Sequence, residues 1–176
     1  GKNPSEFSFN GKNYTPKTFA EELEINTNDY VELTSYSIYP FFEQVELDIP
    51  DNWSNDQYYN IPLEDFIDVI NYSLKNGYSL VWDGDISNYS FSSKMGIANE
   101  PVEHWNSNME TDIYTYIKTV RDELKIDQSI RDKEFLKQNV IDNHLMHLIG
   151  IAEDQNGTRF FKIKDSLGKE RNSFGG

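Results

Sequence analysis

Two apolar runs near the end of the chain, joined by a short polar turn, constrain the fold more than any other feature. Residues 143–152 read NHLMHLIGIA, residues 154–157 read DQNG, and residues 160–168 read FFKIKDSLG. Such a pattern predicts two antiparallel strands that form a β-hairpin. Because the second strand folds back along the first, His144 and Asp165 are expected to lie side by side at the open end.

A histidine held beside a polar orienting group can act as the general base in nucleophilic catalysis. Such catalysis also needs a nucleophile, and the sequence contains no cysteine. The same absence excludes disulfides and thiolate metal ligands, but it does not identify a compartment. No G-x-S-x-G serine and no glycine-rich phosphate loop is present either, and the sequence predicts no cofactor.

Composition limits the possible partners. The chain has 176 residues and a formal net charge of -14, from 30 acidic and 16 basic residues. This charge argues against nucleic acid, whose phosphates require clustered Lys and Arg. No apolar run approaches the ~18 residues of a membrane helix, so we expect no membrane partner. Gly1 before Lys2 is typical of a removed tag, so a trimmed N-terminal signal and the localisation are both left open.

Local patterns predict alternating helices and strands within one domain over residues 1–176. The clearest is a helix that begins after Pro62, has apolar residues at three- and four-residue steps, and ends at Asn76-Gly77. The full expected order is a short hairpin or an extended arm over 7–14, a helix opened by Thr15-Pro16 with Phe19 and Leu23 inward, strands over 30–36 and 42–49, a loop over 55–60, the helix after Pro62, a strand over 78–82, an irregular region over 83–110, helices over 111–124 and 129–139 with Ser129 as the second cap, and the closing hairpin.

His144 and His147 form an H-x-x-H pair, which on a helix could bind one metal ion. On a strand, residues three apart face opposite sides, so we expect no shared metal ion. His147 is interpreted as a packed histidine. For His144, beside Asp142 and Asn143, the spacing alone leaves a structural and a functional role open.

Two further motifs are interpreted as structural or accidental. Asp83-x-Asp85 resembles the start of a calcium loop but lacks the third ligand, the following Gly and the distal Glu, so we expect a turn satisfied by backbone hydrogen bonds. Asn-x-Ser/Thr sequons are expected by chance in an Asn- and Ser-rich chain. They occur at Asn13, Asn52, Asn71, Asn88 and Asn156.

The hairpin residues resemble the His and Asn motifs of papain-like cysteine peptidases, roughly (D/N/T)-H-x-(M/V) and a second strand ending N-S-W-G. Other segments resemble the bleomycin hydrolase/aminopeptidase C branch, including its bacterial members, over most of the chain, with 99–128 the weakest part. These segments are NGKNYTP at 10–16, DNW at 51–53, YNIP at 59–62, NGY at 76–78, WDGDI at 82–86 and GIA at 96–98.

The resemblance implies an α+β fold, the β-rich lobe of a papain-like peptidase, with a small antiparallel barrel-like sheet and flanking helices. It implies that His144 is the general base and that Asp165 stands where an Asn orients the imidazole. Leu167 stands where a Trp shields that contact. The Cys-bearing N-terminal lobe is absent from this chain. The family tends toward cytoplasmic hexamers, and its chains run on past this segment to a terminus that lies in the cleft.

Two hypotheses follow from this resemblance. The first is the His-bearing half of a cysteine aminopeptidase that acts on peptide substrates, with the nucleophile on a Cys-bearing lobe outside this chain. The second is a degenerate, non-catalytic relative that binds peptide or another protein subunit, including a second copy. Asp165 can still orient an imidazole, whereas Leu167 loosens the shield around that contact. Both hypotheses predict an exposed apolar face, and the chain alone is expected to be inactive.

Overall fold

A computed structural model describes residues 4–50, 52–87, 91–119, 121–166 and 168. The chain divides into two compact units, residues 1–32 and 33–176. Each unit has its own secondary structure, and the predicted hairpin of histidine and aspartate belongs to the second.

The first unit is a hairpin followed by a capped helix. Strands β1 (Phe7–Phe9) and β2 (Lys12–Tyr14) pair through Asn10 and Gly11, which have φ of 49° and 77°, as a type I′ turn requires. Helix α1 (Pro16–Glu22) begins at the cap Thr15, whose side chain accepts from Thr18 N–H. A short 3-10 helix follows over Thr27–Asp29. These features confirm the predicted hairpin and cap.

Phe19 of α1 packs edge-on against three rings, those of Phe7, Phe9 and Tyr14, and so forms a small aromatic cluster. The expectation that Leu23 also faces inward is wrong, because it is 50% exposed. Leu23 is already the C-cap of a helix only seven residues long, which ends before its apolar side can continue.

The second unit contains small sheets and three helices, and it confirms the α+β class. In the part of the chain that the structure describes, its strands form the sheets β10-β9-β6, β3-β5-β4 and β7-β8. The elements are β3 (Leu33–Thr34), β4 (Glu43–Glu46), β5 (Gln57–Asn60), α2 (Leu63–Lys75), β6 (Leu80–Gly84), β7 (Phe91–Ser92), β8 (Ile97–Ala98), α3 (Ile113–Lys118), α4 (Gln128–Leu136), β9 (His144–Glu153) and β10 (Arg159–Lys164).

The predicted loop at 55–60 is wrong, because residues 57–60 form the central strand β5. This strand pairs parallel to β3 and antiparallel to β4. Its sequence, QYYN, has no alternation of apolar and polar residues, so the signal on which strand prediction depends is absent. The neighbouring strands are shorter than expected, although Val45 and Leu47 are buried with Tyr36 as the alternation predicts.

Helix α2 confirms the prediction from Pro62 to Asn76-Gly77. Gly77 has φ of 84°, its N–H donates to Leu74 O, and Tyr78 N–H donates to Ser73 O. These two hydrogen bonds form a Schellman motif, which satisfies carbonyls that the helix end leaves without partners. Because Tyr78 is used in the cap, strand β6 begins at Leu80 and not at the predicted residue 78.

The two predicted helices after residue 110 are both shorter than expected. Helix α3 ends at Lys118, since residues 122–124 are extended and pair with 100–102, Pro101 opposite Glu123. The cap of α4 is Asp127, whose side chain accepts from Ile130 N–H at 2.9 Å, and not the predicted Ser129. Asp and Ser are comparable caps, so local sequence does not choose between them.

Helix α4 is tied to residues 35–37 by polar side chains. The carboxylate of Asp132, 8% exposed, accepts from the Ser37 hydroxyl, from Ser37 N–H at 3.0 Å and from Gln128 Nε2 at 3.1 Å. Arg131 Nε donates to Ser35 O at 2.8 Å, and its guanidinium lies over the Tyr36 ring. Such buried contacts fix the helix only while every member of the network is present.

Replacing Asp132 with Ala is therefore expected to lower the free energy of unfolding by about 2 kcal/mol, because it leaves the partly buried donors of Ser37 and Gln128 without this acceptor. Urea unfolding of the chain measures this. The exposed neighbour Lys133→Ala is the control and should change stability by no more than about 0.5 kcal/mol. Equal effects of the two substitutions would contradict the structural role of Asp132.

Candidate functional site

Strand β9 is the centre of the sheet that carries the candidate site. It pairs antiparallel with β6 on one side and with β10 on the other. Its even-numbered residues face inward, with Met146 at 4% and Leu148 at 5% exposed, whereas Leu145 is 59% exposed. The β9–β10 register shifts between Lys162 and Ile163, and Lys164 then pairs with His147. Asp165, the next residue, therefore shares the inward face with Met146.

The structure brings His144 and Asp165 into direct contact. The Nε2 atom of His144 lies 2.9 Å from Oδ1 of Asp165, and their side chains are 22% and 13% exposed. An ionised carboxylate only accepts hydrogen bonds, so the proton of this contact belongs to Nε2. In a neutral ring Nδ1 then carries a lone pair, and it makes no hydrogen bond within the described residues. Chemically, this arrangement can accept a proton at Nδ1 and stabilise the resulting imidazolium.

His147 is on the opposite face of the same strand. The interpretation of His147 as a packed histidine is wrong: it is exposed and pairs with Val81, which is 76% exposed. Among the residues that the structure describes, nothing buries this part of the outer face, so the strand pattern alone could not predict that His147 is exposed. Because the two rings point to opposite faces, they cannot share a metal ion.

Asn143 anchors the start of β9 to the end of β6. Its Oδ1 accepts from Ile86 N–H at 3.1 Å, and its Nδ2 donates to Asp85 Oδ1 at 3.2 Å. Partial burial alone would raise the pKa of Asp85, but hydrogen bonds from Ser87, Ile141 and Asn143 hold it below its ordinary value. Asp83-x-Asp85 is thus a strand end and a hydrogen-bonded turn, as expected. No local sequence pattern predicts the long-range contact of Asn143.

Asp154 organises the turn of the hairpin. Its Oδ1 accepts from Asn156 N–H and Thr158 N–H, each at 2.8 Å, and Gly157 has φ of 84°. These hydrogen bonds, that of Thr158 foremost, lower the pKa of the Asp154 carboxyl. This turn sets the register that brings the two ends of the hairpin together.

Asp154→Ala should therefore reduce stability at neutral pH but have less effect in acid. A carboxyl whose pKa is lower in the folded than in the unfolded state stabilises the fold. This contribution is complete at pH values above the pKa in the unfolded chain, about 3.9, and it is lost as the pH falls through the pKa in the folded chain. Urea midpoints of wild type and variant at pH 7 and near pH 3 measure the difference. A gap that is the same at both pH values would contradict this assignment.

The remaining candidate positions differ in what the structure says of them. Asn52 is 7% exposed, and its amide donates to Leu47 O and Asp56 O, so its sequon is inaccessible in the folded chain. Asn88 and Leu167 lie outside the described residues.

Within the described ranges, no cluster of three or more His, Asp or Glu is placed to hold a metal ion. None of the helices described there has the length and apolar character needed to cross a membrane.

Comparison with known proteins identifies the class. The model of the Peptidase C1-like family matches residues 5–175, so the chain belongs to that papain-like, peptidase-related family. Among solved structures, it is similar to PepW from Lactobacillus rhamnosis HN001 (DR20), with 17% identity and a TM-score of 0.63. That match covers 95% of this chain and 38% of the other, so the chain spans well under half of that protein. No curated protein matches the chain.

Proposed function

We propose that this chain is the His-bearing half of a cysteine aminopeptidase of the bleomycin hydrolase type, as in bacterial members of that branch. The observation that carries the proposal is the 2.9 Å contact between His144 Nε2 and Asp165 Oδ1, which leaves Nδ1 as the proton acceptor. In this proposal the nucleophilic cysteine is on a segment of the gene product outside this chain, and the chain alone does not turn over substrate.

The proposed mechanism uses His144 twice. Its Nδ1 takes the proton of the cysteine thiol, and the thiolate attacks the scissile carbonyl carbon of the peptide. The imidazolium then gives that proton to the leaving amine as the C–N bond breaks and a thioester forms. Water, deprotonated by Nδ1, hydrolyses the thioester and regenerates the thiol. Asp165 keeps the ring oriented and stabilises the imidazolium in both halves of the cycle.

An exposed apolar face supports a missing neighbour. The outer face of the sheet β10-β9-β6 carries apolar side chains that are at least one-third exposed. They are Val81 at 76%, Leu145 at 59%, Ile149 at 39%, Phe161 at 39% and Ile151 at 36%. Contiguous apolar surface of this kind is typical of a contact with another chain segment or subunit. His144 points to the opposite face, so this outer face would be covered by a further segment of the gene product or by a second copy of the chain and not by the part of the Cys-bearing lobe that meets His144.

A second function is favoured by the departures from the family pattern. Asp165 replaces the usual Asn, and Leu167 replaces the Trp that shields it. A relative that no longer catalyses hydrolysis could keep the lobe as a module that binds peptide or a protein subunit. The same exposed face supports this alternative, so structure alone does not choose between the two functions.

The decisive experiment uses the complete gene product. Its gene is first read upstream for a Cys-bearing lobe, and the protein is then assayed on aminoacyl fluorogenic substrates with and without a thiol alkylator. Turnover that the alkylator abolishes supports a cysteine peptidase, and preference for a free over a blocked amino terminus supports aminopeptidase action. Absence of thiol-sensitive turnover would refute the catalytic proposal and favour the binding module.

A further inference from the structure

The indole of Trp82 occupies an unusual place beside the candidate site. A Cβ atom built on Gly84 would lie 2.5, 2.7 and 3.0 Å from Cζ2, Cε2 and Nε1 of Trp82. Real side chains do not approach so closely. The indole therefore fills the space that a side chain at residue 84 would occupy, and glycine is required there for that reason.

Residue 84 is the direct cross-strand partner of His144. In the β6–β9 ladder Gly84 pairs with His144, and Trp82 pairs with Met146. Directly opposite residues in an antiparallel pair point to the same face, with Cβ atoms about 5 Å apart. An indole in the side-chain position of residue 84 is therefore a cross-strand neighbour of His144.

His144 therefore has a neighbouring side chain on each side of β9 in the sheet. Asp165 follows β10 on one side of β9, and the indole of Trp82 comes from β6 on the other. His144 is only 22% and Asp165 13% exposed at the side chain, although both lie at the open end of the hairpin. An apolar side chain that covers one side of a hydrogen bond excludes water from it. Electrostatic interactions are stronger where water is excluded.

We propose that Trp82 is a positioning residue that covers His144 and screens its hydrogen bond to Asp165 from solvent. Contact with the indole would limit rotation of the imidazole about χ2. The position of the indole beside Gly84 is a property of this chain. Its consequence for catalysis rests on the proposed function.

The test measures His144 by NMR in the 176-residue chain, so that it does not depend on turnover. A nuclear Overhauser effect between the Trp82 indole and the His144 ring is expected, together with slow exchange of Nε2–H with water. Gly84→Ala should displace the indole and speed this exchange about tenfold or more, the factor that corresponds to about 1.4 kcal/mol. Gly150→Ala is the matched control, since its Cβ would meet only Lys162 Cβ at 3.9 Å.

Trp82→Phe provides a second variant if Gly84→Ala does not fold. The smaller ring should leave the chain folded and give an intermediate exchange rate. Absence of the indole–imidazole contact in the wild type, or identical exchange rates in the wild type and Trp82→Phe, would overturn the proposal. In the complete gene product, faster exchange of Nε2–H without a change in kcat would refute only the catalytic consequence of the screening. Absence of thiol-sensitive turnover in the wild type would instead refute the proposed function.

Discussion

Replacing His144 with alanine in the complete gene product is expected to lower kcat/KM for aminoacyl substrates by a factor of about 10³ or more. The substitution removes both the general base and the general acid, and each such proton transfer contributes about 10²–10⁴-fold. The effect should fall on kcat more than on KM, since the ring acts on the reacting atoms in the transition state. Steady-state kinetics with a free-amino substrate measures both constants.

His147→Ala is the matched control for that experiment. This histidine is on the same strand, three residues away, but its side chain is exposed on the opposite face. Because its ring points away from the His144–Asp165 pair, its replacement should leave kcat/KM within about twofold. Turnover that survives His144→Ala, or that is lost equally in His147→Ala, would contradict the role given to His144.

Replacing Asn60 with alanine is expected to lower the free energy of unfolding by about 4 kcal/mol. Asn60 is fully buried at 0% exposure. Its Oδ1 accepts from Tyr36 N–H at 2.9 Å, and its Nδ2 donates to the carbonyls of Tyr36, Tyr39 and Pro40 at 2.9–3.2 Å. Alanine would leave the buried Tyr36 N–H without its acceptor and remove the amide donor from the three carbonyls, and each buried group left unsatisfied costs about 1–3 kcal/mol.

Urea unfolding of the 176-residue chain measures this effect. Asn108→Ala is the control, since that residue is exposed and its backbone N–H, not its side chain, makes the hydrogen bond to Asn106. The control should stay within about 0.5 kcal/mol of wild type. A loss below about 1 kcal/mol for Asn60→Ala would show that water or local rearrangement satisfies the four groups.

Sequence predicted the elements whose signals are local. The Asn10-Gly11 turn, the Thr15 cap, the apolar stripe of α2 and its Gly77 ending all depend on residues a few positions apart, and the structure confirms them. The closing hairpin was also predictable, because two apolar runs joined by a short polar turn indicate antiparallel pairing.

The errors came where distant contacts decide the conformation. Strand β5 has no apolar alternation and forms because β3 and β4 pair with both of its edges. The helix predicted to reach residue 124 stops early because residues 100–102 pair with 122–124. His147 is exposed because its face of the sheet is uncovered, a property that depends on what packs above a strand and not on the strand itself.

The candidate site was predicted only in part. The hairpin geometry placed His144 beside Asp165, and the family resemblance assigned their roles. The support from β6 was not predicted: neither the two hydrogen bonds of Asn143 nor the indole of Trp82 beside Gly84 follows from local sequence. Both depend on the register between β6 and β9, which joins residues about 60 positions apart.

The most direct test of the central claim, that His144 is the base of a Cys–His pair, is the rate of thiol alkylation at pH 6 in the complete gene product. An imidazolium beside the cysteine keeps it as thiolate in mild acid, whereas an ordinary thiol has a pKa of about 8.5. We predict rapid alkylation of the wild type and a rate about 100-fold lower in His144→Ala. Equal rates in the two proteins, or a gene product without an upstream cysteine, would contradict the account.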